Sequence, residues 1–163
     1  MAKIVHQELG VKYGLLKDKV PYYRYAPASV SQGKDQTLYW DRSILTDRTT
    51  RHNRPDIVVH NHHSNEVVFV DIAVPCTHNL QSTHNEKISK YAELGQVVKE
   101  QWKVARVTTV PVVISATGVV LTSLPEALRA LDMDAIVLKA ISKAVVLATT
   151  SIVRRVLDGG DTG

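Results

Sequence analysis

Apolar positions along the chain fall into blocks separated by polar stretches. Residues 3–16 (KIVHQELGVKYGLL) carry Ile4, Val5, Leu9 and Leu16 at roughly helical spacing, with Gly10 and Gly14 weakening the pattern. Residues 20–36 hold two prolines, a glycine and three tyrosines and read as an irregular connector over the surface. From Thr37 the texture changes. Leu38-Tyr39-Trp40 predicts a short strand. Ile57-Val58-Val59 is a β-branched run just after Pro55, and the polar stretch Asn61 to Asn65 reads as a turn. Val67-Val68-Phe69-Val70, continuing to Val74, is a second apolar strand and the expected hairpin partner of the first. Val110 to Ser115 predicts another strand, with Pro111 at its start or on a sheet edge.

Helix signals follow. Thr83-His84-Asn85-Glu86 has the form of a capping box and predicts a helix to about Val104, buried along Ile88, Tyr91, Leu94, Val98 and Trp102. Ser123-Leu124-Pro125-Glu126 is a second box, for a short helix to about Leu131. Asp134 can cap a long helix to Leu157, stopped by Gly159-Gly160. Lys139 and Lys143 interrupt that last apolar run, so it is expected to be a buried helix rather than a membrane span. The order α, β, β, β, α, β, α, α mixes a hairpin with a strand–helix–strand unit. It predicts an α/β fold with a mixed central sheet flanked by helices.

Composition narrows the class. The 163 residues suit one domain, and 44% hydrophobic with 22% charged residues excludes a disordered or collagen-like chain. A single cysteine, Cys76, excludes an internal disulfide framework and a multi-cysteine zinc site. The opening MAKIVHQELG lacks the apolar segment of a secretory signal, so an intracellular setting is expected. The net charge of +4 is uneven: residues 1–55 hold ten Lys/Arg against five Asp/Glu, the remainder ten against eleven. A basic segment beside a balanced one suggests a polyanionic partner.

The chemistry centres on Arg54-Pro55-Asp56, followed after fourteen residues by Asp71. A carboxylate inside VVFVDIAVP is costly to bury without a partner. If the two strands pair antiparallel around the 61–65 turn, Asp56 and Asp71 meet at one end of the hairpin. Two carboxylates held together repel unless a cation lies between them, and a hard divalent ion such as magnesium suits oxygen ligands. Such an ion can activate water and steady a phosphoryl oxygen. Lys87 falls on the inward side of the following helix and Lys90 further round it, so Lys87 can reach the carboxylates. Arg42, Arg48, Arg51 and Arg54 precede Asp56 directly, with Asp47 among them, and suit contact with a phosphate backbone.

The stretch from Thr37 through Leu94 resembles the C-terminal restriction-like endonuclease region of non-LTR retrotransposon polyproteins, a branch of the PD-(D/E)xK nuclease superfamily. The shared pattern is Arg/Lys-Pro-Asp, a spacer, Asp/Glu, then a lysine displaced onto the next helix. The resemblance covers 37–158, with 1–36 as an N-terminal helix and connector and 159–163 as a flexible tail. It implies a PD-(D/E)xK core and a Mg2+- or Mn2+-dependent endodeoxyribonuclease acting on double-stranded DNA. Asp56 and Asp71 would be metal ligands, assisted by the carbonyl of Ile72. Lys87 would be the catalytic lysine, with Lys90 its rival. Ala73 stands where the wider superfamily carries lysine, so the lysine must come from the helix. The chain lacks a Tyr-x-Asp-Asp polymerase motif and a zinc knuckle, so the resemblance reaches the nuclease portion alone. It further implies the element's reverse transcriptase portion as a partner and a nuclear setting on chromosomal DNA; by the reading of the final helix no membrane is expected, and its apolar run leaves room for a homodimer. Two other readings remain: a catalytically inactive nucleic-acid-binding or interaction module of the same fold, and a dimeric nuclease resembling Holliday-junction resolvases.

His60, His62 and His63 are expected to point in different directions from an exposed turn rather than to bind zinc. Cys76 is expected to be a buried or semi-buried thiol, since nothing supplies it with a base. Glu8 suits the surface better than a third acid of the site, and Trp40 and Trp102 suit the core better than base stacking. Tyr22, Tyr23 and Tyr25, interleaved with Arg24, suit packing and base stacking equally.

Overall fold

The computed structural model describes residues 1–159. Helix α1 (Ala2–Lys12) is followed by strands β1 (Val30–Gln32), β2 (Gln36–Trp40), β3 (Ile57–Asn61) and β4 (Glu66–Ala73). A 3-10 turn at Thr77–Asn79 leads into α2 (Leu80–Lys90) and α3 (Ala92–Gln101). Strand β5 (Arg106–Val113) and helices α4 (Ser123–Ala130) and α5 (Ala135–Gly159) complete the described chain.

The five strands lie in the order β1-β2-β3-β4-β5, antiparallel except for the parallel pair β4–β5. A parallel neighbour needs a crossover, and α2 and α3 supply it. The fold is thus mixed α/β with a five-stranded sheet between helices, as the order of apolar blocks predicts. The predicted hairpin is present, with Ile57 opposite Val70 and Asn61 opposite Glu66. Pro111 lies inside β5 rather than at its start, and the strand tolerates it because β5 is a sheet edge.

Alternation along the strands divides the core into two layers. Leu38, Ile57, Val59, Val70 and Val112 face α1, α4 and α5, where Val5, Leu9, Leu124 and Ile141 bury their side chains. Val58, Val67 and Phe69 face the other way, onto Tyr91, Leu94 and Val98.

Four local expectations are corrected. The connector over 20–36 contains strand β1, three residues that its polar sequence hides. The helix predicted over 83–104 begins at Leu80, so Thr83 lies inside it and caps nothing. It also breaks at Tyr91 (φ −105°, ψ 12°) into two helices, and Ile88, expected on the buried face, is exposed. Gly14 adopts φ +70°, where a side chain would be strained, and the first helix stops two residues short of it.

The fourth correction concerns α5. Its buried residues are Val137, Ile141, Ala144 and Val145, all in the first half. Ile152, Val153, Val156 and Leu157 are exposed, so the helix is buried only in its first half, where it packs on α1 and α4. It is long and apolar enough to cross a membrane by length and composition. The tail expected over 159–163 lies, beyond Gly159, outside the described residues.

Candidate functional site

The β3–β4 register continues past Ile57 and Val70 to set Asp56 opposite Asp71. By strand alternation both side chains share the face of Val58 and Phe69, the face covered by α2 and α3. The Oδ2 of Asp56 accepts a hydrogen bond from the Ile72 N–H at 2.7 Å. The N–H and C=O of a strand residue point toward the same neighbour, so the Ile72 carbonyl is directed to that edge as well.

Asp71 is 2% exposed, and its charge is met by two lysines. The Nζ of Lys87 lies 2.6 Å from its Oδ2, and that of Lys90 lies 3.6 Å from the same oxygen. Lys87 and Lys90 are three residues apart in the last turn of α2, and that spacing puts them on neighbouring positions of one helix face. The Oδ2 receives no well-aligned hydrogen bond, so its stabilisation is an ion pair with two ammonium groups. The other oxygen, Oδ1, accepts from the Tyr91 hydroxyl at 3.2 Å. The same hydroxyl lies 3.1 Å from the Arg54 carbonyl oxygen. Tyr91 is 1% exposed, packs edge-on against Phe69, and carries Lys90 Nζ 4.8 Å above its ring.

The electrostatics follow from this crowding. Burial pushes the Asp56 carboxyl above its ordinary range, the Ile72 N–H pulls it back, and the Asp71 carboxyl raises it again. The Tyr91 phenol is raised by burial and by the negative charge of Asp71. Asp56 and Asp71 therefore sit as neighbouring carboxyls, with the lysines on the Asp71 flank.

The pair suits a hard divalent cation. It offers two carboxylates and a carbonyl-bearing edge, with the Asp71 Oδ2 also in ion-pair contact with Lys87. Magnesium is commonly held by one or two carboxylates with the rest of its shell left to water and substrate oxygens. Among the described residues, no group of three or more His, Cys, Asp or Glu side chains is placed to hold a metal ion.

The arginines leading into the site divide into two kinds. Arg54 grips Asp41 through two bonds of 2.9 and 3.0 Å, and Arg48 pairs with Glu100 at 2.7 Å. Arg42 and Arg51 are exposed and make no ion pair among the described residues. Arg51 borders a cleft of about 390 Å3 with His52, Ser89 and Lys90, beside Glu86 and Glu93.

His60 and His62 lie with ring centroids 4.1 Å apart, against the expectation of divergent directions. They are two positions apart and so share a strand face, and His60 also stacks on Trp102. Cys76 is exposed rather than buried, because it precedes the 3-10 turn on the surface. Glu8 is engaged by Lys19 at 2.7 Å and takes no part in the site. Trp40 and Trp102 pack against the two core layers. Tyr25 is buried on His6, while Tyr23 is 69% exposed.

Two residues escaped the sequence reading. Tyr91 counts only as a core aromatic by periodicity, and its hydroxyl contact with Asp71 is a long-range contact between the end of α2 and β4. His6 is 1% exposed, bonded through Nδ1 to the Tyr25 hydroxyl at 2.7 Å, and lowered by burial to about 4. Compared with known proteins, the chain matches no family model and no curated protein.

Proposed function

We propose that this domain is a metal-dependent endonuclease of the PD-(D/E)xK type that hydrolyses phosphodiester bonds in double-stranded DNA. The observation that carries the reading is the meeting of Asp56, Asp71 and Lys87 at one end of the β3–β4 hairpin. A buried acid pair flanked by an ammonium group is a charge arrangement suited to phosphoryl chemistry. In the retrotransposon setting that the sequence resembles, the domain nicks target DNA to prime reverse transcription, in company with the element's reverse transcriptase portion.

Asp56, Asp71 and the Ile72 carbonyl would hold Mg2+ or Mn2+. When bound, such an ion lowers the pKa of water and neutralises charge on a phosphoryl oxygen. The chain's own residues do the rest. Lys87 is oriented by Asp71, so its ammonium group can position the attacking water or offset charge building on the phosphate. Tyr91 fixes the Asp71 carboxylate from the opposite oxygen. Arg42 and Arg51 are available to phosphates directly, whereas Arg48 and Arg54 would exchange an internal acid for a backbone contact.

A supercoiled-plasmid nicking assay tests this. Nicking should require Mg2+ or Mn2+, stop on chelation, and vanish in Asp71→Ala. Activity indifferent to chelator, or an Asp71→Ala protein as fast as the parent, would overturn it. A chain that binds DNA but never cleaves would be the inactive module instead. The exposed apolar half of α5 favours one second reading, a dimeric junction-cleaving nuclease. A dimer on sizing, with four-way junctions cut in preference to duplex, would select it.

A further inference from the structure

The face of the sheet that carries Asp56 and Asp71 also carries Tyr39, one strand away on β2 and paired with Val58. Beside Tyr39 lies a cleft of about 250 Å3, closed by Trp102 on one side and by the segment Arg42 to Leu45 on the other. Tyr39 and Trp102 stand with ring centroids 6.0 Å apart at 46° to each other, an open angle rather than a closed stack.

The rim of this cleft carries an exposed leucine on an anchored backbone. Leu45 is 86% exposed, the most exposed of the large apolar side chains described. It is not on a loose loop. Its carbonyl accepts from the Gln101 side chain at 3.1 Å, and the same side chain accepts from the Asp47 N–H at 3.0 Å. Next to it, Ile44 is buried and donates its N–H to the Asn53 carbonyl at 2.8 Å, and Arg48 is anchored on Glu100. The backbone is thus fixed on both sides while the leucine projects into solvent. Arg42 lines the same cleft and has no acid partner among the described ion pairs.

We infer that the cleft between Tyr39, Trp102 and Arg42 receives an unstacked nucleobase, with Leu45 as the wedge that opens the stack. The inference rests on the DNA-cleaving reading and adds to it a distortion of the substrate beside the acid pair. Apolar wedges separate base steps at a cost of about a few kcal/mol, returned when the freed base meets an aromatic surface. An arginine on the same rim fits the phosphate next to the displaced base. The chemistry of the cleft favours this occupant over a peptide, because its aromatic Tyr39 shares a sheet face with the acid pair and Arg42, unpaired among the described residues, stands on its rim.

The test uses the whole chain and duplexes carrying 2-aminopurine at one position at a time. The expected result is a fluorescence rise at one or two adjacent positions, at a fixed offset from the nick. Leu45→Ala should abolish the rise and weaken binding about tenfold, the scale of one lost stacking contact. Leu45→Phe should restore it. Arg42→Ala should lower both affinity and the salt dependence of binding. If the chain binds and nicks DNA with no rise at any position, or if Leu45→Ala leaves the rise unchanged, the wedge is wrong and the nuclease reading stands. If the chain neither binds nor nicks duplex DNA, both fall together.

Discussion

Lys87 and Asp71 form the shortest contact of the acid pair with its surroundings, 2.6 Å from Nζ to Oδ2. Asp71 is almost wholly buried, and Lys87 comes from a helix that follows in sequence by way of a surface turn. The lysine therefore compensates a charge that the strand alone could not carry. Lys90 reaches the same oxygen from further away.

This geometry ranks the two lysines. Lys87→Met should lower the nicking rate by about a hundredfold or more, the usual scale for removing one positioned charge in an active site. Lys90→Met should cost less, because Lys87 remains. Initial rates at saturating Mg2+ decide the order. A greater loss in Lys90→Met would transfer the catalytic role to Lys90.

Removing Asp71 strands two cations. Asp71→Ala should abolish cleavage and also unfold at lower denaturant, since a broken buried pair costs about 3–5 kcal/mol. Asp71→Asn keeps the shape and should lose activity with a smaller loss of stability. Urea titration and the nicking assay, run on both variants, separate the structural effect from the chemical one.

Asp56 gives a pH signature. Its carboxyl is raised in the folded state, chiefly by burial, so the proton binds more tightly when folded than when unfolded. The stability it contributes is present below the ordinary carboxylate pKa and lost as pH rises through the raised value. Asp56→Asn should therefore melt higher than the parent at neutral pH, and the difference should shrink in acid. Activity needs the ionised form, so its acid limb should lie above the ordinary carboxylate range and move down as Mg2+ is increased. Calorimetry and a pH–rate profile at two metal concentrations check both.

Tyr91→Phe keeps the ring against Phe69 and removes only the hydroxyl held between Asp71 and the Arg54 carbonyl. The expected loss is about tenfold in rate with little change in DNA affinity, since one hydrogen bond to a charged group is worth about 1.5–3 kcal/mol. A shifted acid limb in the pH–rate profile marks a positioning role. An unchanged profile with lower stability alone would make Tyr91 purely structural.

His6 predicts an acid-sensitive core. Burial lowers it to about 4, so its contribution to stability is complete above the ordinary histidine pKa and is lost as pH falls toward 4. His6→Gln should flatten the stability profile between about pH 6.5 and 4, on the scale set by free and folded histidine. Urea midpoints across that range provide the measurement.

The hairpin was legible in the chain because two β-branched runs flank a polar turn, and a period of two leaves only one register that buries both. That register alone brings Asp56 and Asp71 together, so the acid pair is written locally. A helical crossover was legible too, through the apolar face of Leu94 and Val98, but as one helix rather than two. Strand β1 was not, since Val30-Ser31-Gln32 has no apolar alternation and exists only because β2 offers it an edge. The break at Tyr91 has no glycine or proline to announce it. The sequence by itself determined the β3–β4 hairpin, the acid pair at its end and the helix that supplies a lysine. Tertiary packing decided which lysine lies closest, what Tyr91 holds, which arginines are already paired, and that Leu45 stands out from a pinned loop. Those are distances between segments far apart in the chain, and no local pattern encodes them.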